Sequence, residues 1–232
     1  MLVMKIGCIS DFRPTQRRAL MPECTGFLVW NVSCVSRLWY GEGFDYDTPS
    51  ADYWLVEISG LPSGLSADLL RYTTMNAVHG FGRYHYRGML VGSAFRYSGA
   101  GVLSPVSLWK LWDDFEIKDS EMIGWWVGVE DGPWAVPVKP SSSDFLATVY
   151  VQRNKPTPAA LIVVADWSND LSNRTVALSF TFNWTALGLS STTTKLHVPL
   201  VAPFQTQNTG VFPTNQVFNI SATQGGILLI AQ

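Results

Sequence analysis

The hydrophobic pattern changes character near residue 130, and this change limits the chain to two kinds of architecture laid end to end. Before it, short apolar runs such as "RLWYGEG" and "RGMLVGSAF" alternate with stretches at helical spacing. "SADYWLVEI" and "SGLSADLLRYT" each open on a serine suited to capping a helix. In "SLWKLWDDFEI", Leu108, Leu111, Trp112 and Phe115 recur at i, i+3, i+4 and i+7, which is one helical face. Such alternation predicts α/β units around a parallel sheet. After "WWVGVEDGPWAVPVKPSSSD" the pattern turns all-β. "FLATVYVQR", "AALIVVADWS", "RTVALSFTFNW", "TTKLHVPLV" and "GGILLIAQ" are strand-length, and turn-forming residues separate them. In "TVALSFTF", Val176, Leu178, Phe180 and Phe182 alternate with Thr175, Ala177, Ser179 and Thr181. That is the period of a half-buried strand.

The expected fold is therefore α/β plus all-β. An incomplete (β/α) barrel segment is expected over residues 1–130, followed by an antiparallel β-sandwich over residues 131–232. Eight strand–helix units take about 250 residues, and the front of this chain offers roughly two or three. Either the parallel sheet is small and open, or it is the later part of a barrel whose earlier strands lie upstream.

Composition narrows the partners. Charged residues make up only 15% of the 232, the net charge is −2, and no basic run is present. A phosphate-tracking surface, and hence nucleic acid as a partner, is not expected. No apolar stretch approaches the ~18 residues that a membrane span needs. The three cysteines, Cys8, Cys24 and Cys34, form no CxxC pair, and neither a metal nor a cofactor is expected. One disulfide with a free thiol, or three reduced thiols, fits equally. Sequons at Asn31, Asn173, Asn183 and Asn219 point to the secretory pathway or the extracellular space, or else are accidental; the N-terminus does not read as a signal peptide.

The strings "GEGFDY", "YWLVEISG", "LWKLWDDF" and "MIGWW", with "YRGMLVG", "ALIVVADWS" and "FNWTALGL", resemble the C-terminal half of a glycoside-hydrolase-like family. That family is related to the β-N-acetylgalactosaminidase type. The similarity runs from about Trp39 to Gln232, and residues 1–30 do not share it. The resemblance implies a (β/α)8 barrel closed by a small β-sandwich, and a carbohydrate substrate. It also implies an adjacent Asp–Glu catalytic pair on an earlier barrel strand. No such pair stands at a strand end here; Glu130–Asp131 has the reverse order and sits at the junction. The chain is thus expected to be a piece of a larger enzyme, with the dyad upstream.

Candidate site residues follow from "RLWYGEGFDYD". Glu42 would stand at the C-terminal end of a barrel strand, the face that carries active sites. Gly41 and Gly43 beside it allow a ligand to approach the backbone. A carboxylate there suits general acid–base work or sugar hydroxyls. Asp45 is the second catalytic candidate, since paired carboxylates in glycosidases stand ~5–9.5 Å apart. An acidic loop bonding its own backbone is the competing reading. Trp39, Tyr40, Asp47 and His85 are candidate substrate contacts. Aromatic faces stack on pyranose rings, but Trp39 equally fits a barrel core, and Asp47 equally supports the next helix. His85 lies with His79, Arg83 and Arg87 in "NAVHGFGRYHYRG", read as a polar loop over the barrel top. Asp113, Asp114 and His197 read as structural. Glycoside hydrolysis is the leading function; a non-catalytic carbohydrate-binding or structural module is the alternative.

Overall fold

The computed structural model describes residues 23–24, 37–40, 48–59, 66–70, 81–92, 94–96, 106–127, 136–168, 174–202 and 204–232. Strands β1 (Glu23–Cys24), β2 (Arg37–Tyr40), β3 (Ser66–Leu70) and β4 (Ala94–Arg96) form one sheet in that order, and every pair is parallel. Parallel neighbours need crossover connections. Helix α1 (Ala51–Tyr53), continued by a π-helical stretch over Trp54–Ile58, lies between β2 and β3. Helix α2 (Phe81–Leu90) lies between β3 and β4. Ser50 caps α1 as its position suggested, its hydroxyl accepting the Tyr53 N–H at 3.2 Å. Among the described residues this sheet does not close into a barrel.

Two local expectations are overturned. "SGLSADLLRYT" reads as a helix, yet Ser66–Leu70 is strand β3, hydrogen-bonded to β2 on one side and β4 on the other. Ladder bonding on both edges outweighs the helical spacing of its leucines. "NAVHGFGRYHYRG" reads as a loop, yet from Phe81 onward it is α2, which runs on through Leu90. The strand expected at "RGMLVGSAF" begins only at Ala94.

The rest of the chain is mainly antiparallel. A six-stranded sheet runs in the order β12 (Gly210–Phe212), β11 (Leu196–Val198), β14 (Gly226–Ala231), β8 (Ala159–Asp166), β7 (Phe145–Gln152), β5 (Glu121–Ile123). All its pairings are antiparallel. Two further strand pairs accompany it: β6 (Val138–Pro140) with β10 (Phe180–Phe182), and β9 (Thr175–Leu178) with β13 (Phe218–Ser221). The alternation in "TVALSFTF" survives, with Leu178 buried and Thr175, Ala177 and Thr181 exposed. The chain changes partner at Ser179, so β9 and β10 belong to different pairs. Helices α3 (Val106–Phe115) and α4 (Trp184–Leu187) and a 3-10 turn over Ile117–Asp119 accompany these strands, and Asn183 caps α4 through its side-chain oxygen.

Strand β8 is buried along its whole length because both of its faces are covered. Ala160, Ile162 and Val164 join Val149, Leu178, Phe218 and Ile220 in one core. Leu161, Val163 and Ala165 join Tyr86, Leu90, Leu108 and Phe115, from α2 and α3, in the other. A strand with an apolar environment on both sides must be apolar at every position, hence "AALIVVA".

The helix-facing side of β7 is polar for a definite reason. Thr148 Oγ1 donates to the Leu90 carbonyl at 2.7 Å, and Tyr150 Oη donates to that of Met89 at 2.8 Å. Gln152 Nε2 donates to the Phe115 carbonyl. The last carbonyls of a helix lack partners within it. Alternate residues of one strand therefore satisfy the ends of both α2 and α3.

Candidate functional site

Parallel pairing puts the C-terminal ends of β2, β3 and β4 on one edge, with Tyr40 opposite Leu69 and Leu70 opposite Arg96. In α/β folds this edge carries the ligand sites. Trp39 and Tyr40 are the last two positions of β2. Glu42, Asp45 and Asp47 follow in the chain and lie outside the described residues, as does His79. The chain re-enters at Thr48–Ser50 and starts α1.

His85 stands not in a loop but in α2, where it is 1% exposed. Its ring lies 4.1 Å from that of Phe204, centroid to centroid. Burial lowers its pKa to about 3, so the imidazole is neutral at pH 7. Asp113 and Asp114 are exposed on α3, and Asp114 accepts from Lys110 at 2.8 Å one turn away.

A second constellation forms where β8 ends, and local sequence spacing does not reveal it. Arg87 of α2 donates through Nε to the Asp166 carbonyl at 3.0 Å and through Nη2 to that of Ser168 at 3.3 Å. Arg83, one turn earlier, also donates to the Ser168 carbonyl. Arg174 bridges two carboxylates: Nη1 meets Asp144 at 2.8 Å, and Nη2 meets Asp166 at 3.1 Å. The Ser168 N–H donates to Asp166 Oδ1 at 2.8 Å. Both carboxylates thus share one guanidinium, an arrangement that holds a loop in place rather than one that moves protons.

Tryptophans extend from this knot. The Arg87 guanidinium carbon lies 4.5 Å over the Trp167 ring, a cation–π contact. Trp167 meets Trp54 edge-on at 5.2 Å and stacks on Trp125 at 6.3 Å. Trp125 meets Trp126 edge-on at 4.7 Å. The Trp167 indole N–H donates to the Pro49 carbonyl at 3.3 Å. Pro49 comes two residues after Asp47, so the aromatic ladder holds the chain that leaves the "GEGFDYD" segment. In the sequence these tryptophans stand in the strings "YWLVEISG", "MIGWW" and "ADWS".

Among the described residues no group of three or more His, Cys, Asp or Glu side chains is placed to hold a metal, and no helix is long and apolar enough to cross a membrane. Comparison with curated proteins and with solved structures gives no match. Comparison with protein families matches residues 21–98, which include β1 to β4, to the glycoside hydrolase 123 TIM-barrel domain. It matches residues 104–231, which include the six-stranded sheet, to the glycoside hydrolase 123 C-terminal domain. The parallel sheet thus falls within the first matched domain and the antiparallel sheet within the second, and the chain belongs to the glycoside hydrolase 123 family.

Proposed function

We propose that the chain takes part in the hydrolysis of O-glycosidic bonds in glycans carrying N-acetylhexosamine. The two family domains in tandem carry this reading. Residues 1–130 are read as the later part of a (β/α)8-type barrel, except that α3 and β5 pack with the six-stranded sheet, and residues 131–232 are read as a β-sandwich. Glu42 and Asp45 come after β2 in the chain, and they are read as rim carboxylates that bind or polarise sugar hydroxyls. Four parallel strands are described, where a closed barrel takes eight. The reading therefore places the adjacent Asp–Glu pair of the galactosaminidase type on additional sequence upstream. In that type the substrate's own acetamido oxygen attacks the anomeric carbon, one carboxylate orients it, and the other protonates the leaving oxygen.

The test compares this chain with a form extended upstream in its reading frame, each assayed on aryl N-acetylhexosaminides. Turnover by the extended form alone supports the reading. An inactive extended form that binds glycans points instead to a carbohydrate-binding module. Glu42→Gln that leaves both turnover and binding unchanged overturns the site assignment.

A further inference from the structure

The pair Trp125–Trp126 occupies the centre of a turn closed by the Val127 N–H donating to the Gly124 carbonyl at 3.2 Å. Central turn positions favour Gly, Pro, Asn, Asp and Ser. Two tryptophans there do nothing for the turn itself. Nor does the second one serve a core: Trp126 is 37% exposed, and it belongs to neither hydrophobic cluster.

Its position is nonetheless fixed. The benzo ring of Trp126 lies against Gly124, where a side-chain carbon would stand 2.2 Å from Cζ3. Trp125 meets the same indole at 84°, edge to face. Trp125 in turn rests on Trp167, which Arg87 and Pro49 anchor. An exposed indole would ordinarily sample several rotamers. This one is held by a glycine on one side and a second indole on another, so binding a flat partner costs little further ordering.

We propose that Trp126 is a stacking platform for a pyranose ring, an outer subsite for a glycan. The proposal rests on the carbohydrate reading above and extends it to a named contact. A sugar offers the required shape: a flat apolar face of C–H groups, with hydroxyls around its edge that stay in water. The indole face, electron-rich and apolar, complements that face. The ladder Trp126–Trp125–Trp167 leads back to Pro49, two positions after Asp47 in the chain.

The test is titration calorimetry of the full chain with triacetylchitotriose and with a β-N-acetylgalactosaminyl disaccharide. The wild type is compared with Trp126→Ala, Trp126→Phe and Gly124→Ala. Alanine at 126 should weaken binding roughly tenfold, as loss of an aromatic contact does. Phenylalanine should retain most of the affinity. Gly124→Ala keeps the indole but displaces it, and should weaken binding as well. Melting temperatures confirm that each variant is folded. Wild-type binding with Trp126→Ala unchanged overturns the platform and leaves the carbohydrate reading standing. A wild type that binds neither sugar overturns the platform, while the carbohydrate reading stands or falls with turnover by the form extended upstream.

Discussion

The backbone of Gly225 lies directly against that of Arg83: a side-chain carbon on Gly225 would stand 2.4 Å from the Arg83 Cα. Gly225 also has φ +72°, a conformation that other residues rarely adopt. The neighbouring Gly226 would place a side chain 2.6 Å from the Tyr86 ring. Gly225, just before β14, and Gly226, its first residue, therefore let α2 sit down on the six-stranded sheet. It is one of the contacts that join the α/β part to the antiparallel part, with the bonds of Thr148 and Tyr150 to the end of α2.

Gly225→Ala should destabilise the protein by about 3 kcal/mol, combining left-handed strain with overpacking. Urea unfolding checks this. A loss below about 1 kcal/mol would mean that α2 shifts freely on the sheet.

Gln205 completes the sheet edge where no strand does. Its Oε1 accepts the Leu228 N–H at 2.7 Å, and its Nε2 donates to the Leu228 carbonyl at 3.0 Å and to that of Pro199 at 2.9 Å. Tyr86 Oη adds a bond to the same Oε1 at 3.2 Å. Gln205→Leu keeps the volume but leaves the Leu228 groups buried and unpaired. The expected cost is about 2–4 kcal/mol, since each orphaned buried group costs about 1–3. Chemical denaturation at an unchanged m-value is the measurement, and a near-neutral result would show that water replaces the side chain.

What could be read from the sequence follows from where each interaction lies. The all-apolar β8 and the alternating β9–β10 announce themselves, because the burial of each residue repeats at the strand period. The face of α3 does too, with Leu108 and Phe115 buried and Leu111 and Trp112 packed on the same core. Helix α2 was hidden because Arg83, His85 and Arg87 look like surface residues. They are buried, and the arginines are bonded to carbonyls more than seventy residues away, at Asp166 and Ser168. No window of sequence contains both partners. The ladder of Trp54, Trp167, Trp125 and Trp126 is legible only as a surplus of tryptophan, since its rungs come from three separate segments. The strand that precedes Glu42 is where the sequence places it, which fixes the edge of the parallel sheet that Glu42 follows.

Arg174 should be the most sensitive charge in the knot at the end of β8. The Asp166 side chain is 1% exposed, and Arg174 is the cation paired with it. Arg174→Ala leaves that carboxylate with the Ser168 N–H but without the guanidinium it is paired with. Breaking a buried pair costs about 3–5 kcal/mol. Arg174 is 21% exposed and Asp144 is 44% exposed, so solvent screens part of the effect and about 2–3 kcal/mol is expected. Adding Asp166→Asn should recover some of that loss. If the double variant is no more stable than Arg174→Ala, the guanidinium acts through packing and its bonds to Ser168 and Asp144 rather than through Asp166.

His85 gives the fold an acid-side weakness. Burial holds its pKa near 3 in the folded protein, against 6.5 when exposed. A base whose folded pKa is depressed binds protons in the unfolded state first. Its contribution is therefore intact above pH 6.5 and is lost progressively as the pH falls toward 3. By pH 5 the loss amounts to about 2 kcal/mol. His85→Phe removes the titrating group while keeping a ring against Phe204. The variant's unfolding free energy should fall less than the wild type's between pH 7 and pH 5, by about that amount. Carboxylates common to both proteins cancel in this difference. Parallel stability curves for the two proteins would show that the imidazole takes up its proton as readily in the folded chain as in the unfolded one, by exposing itself through local opening of α2.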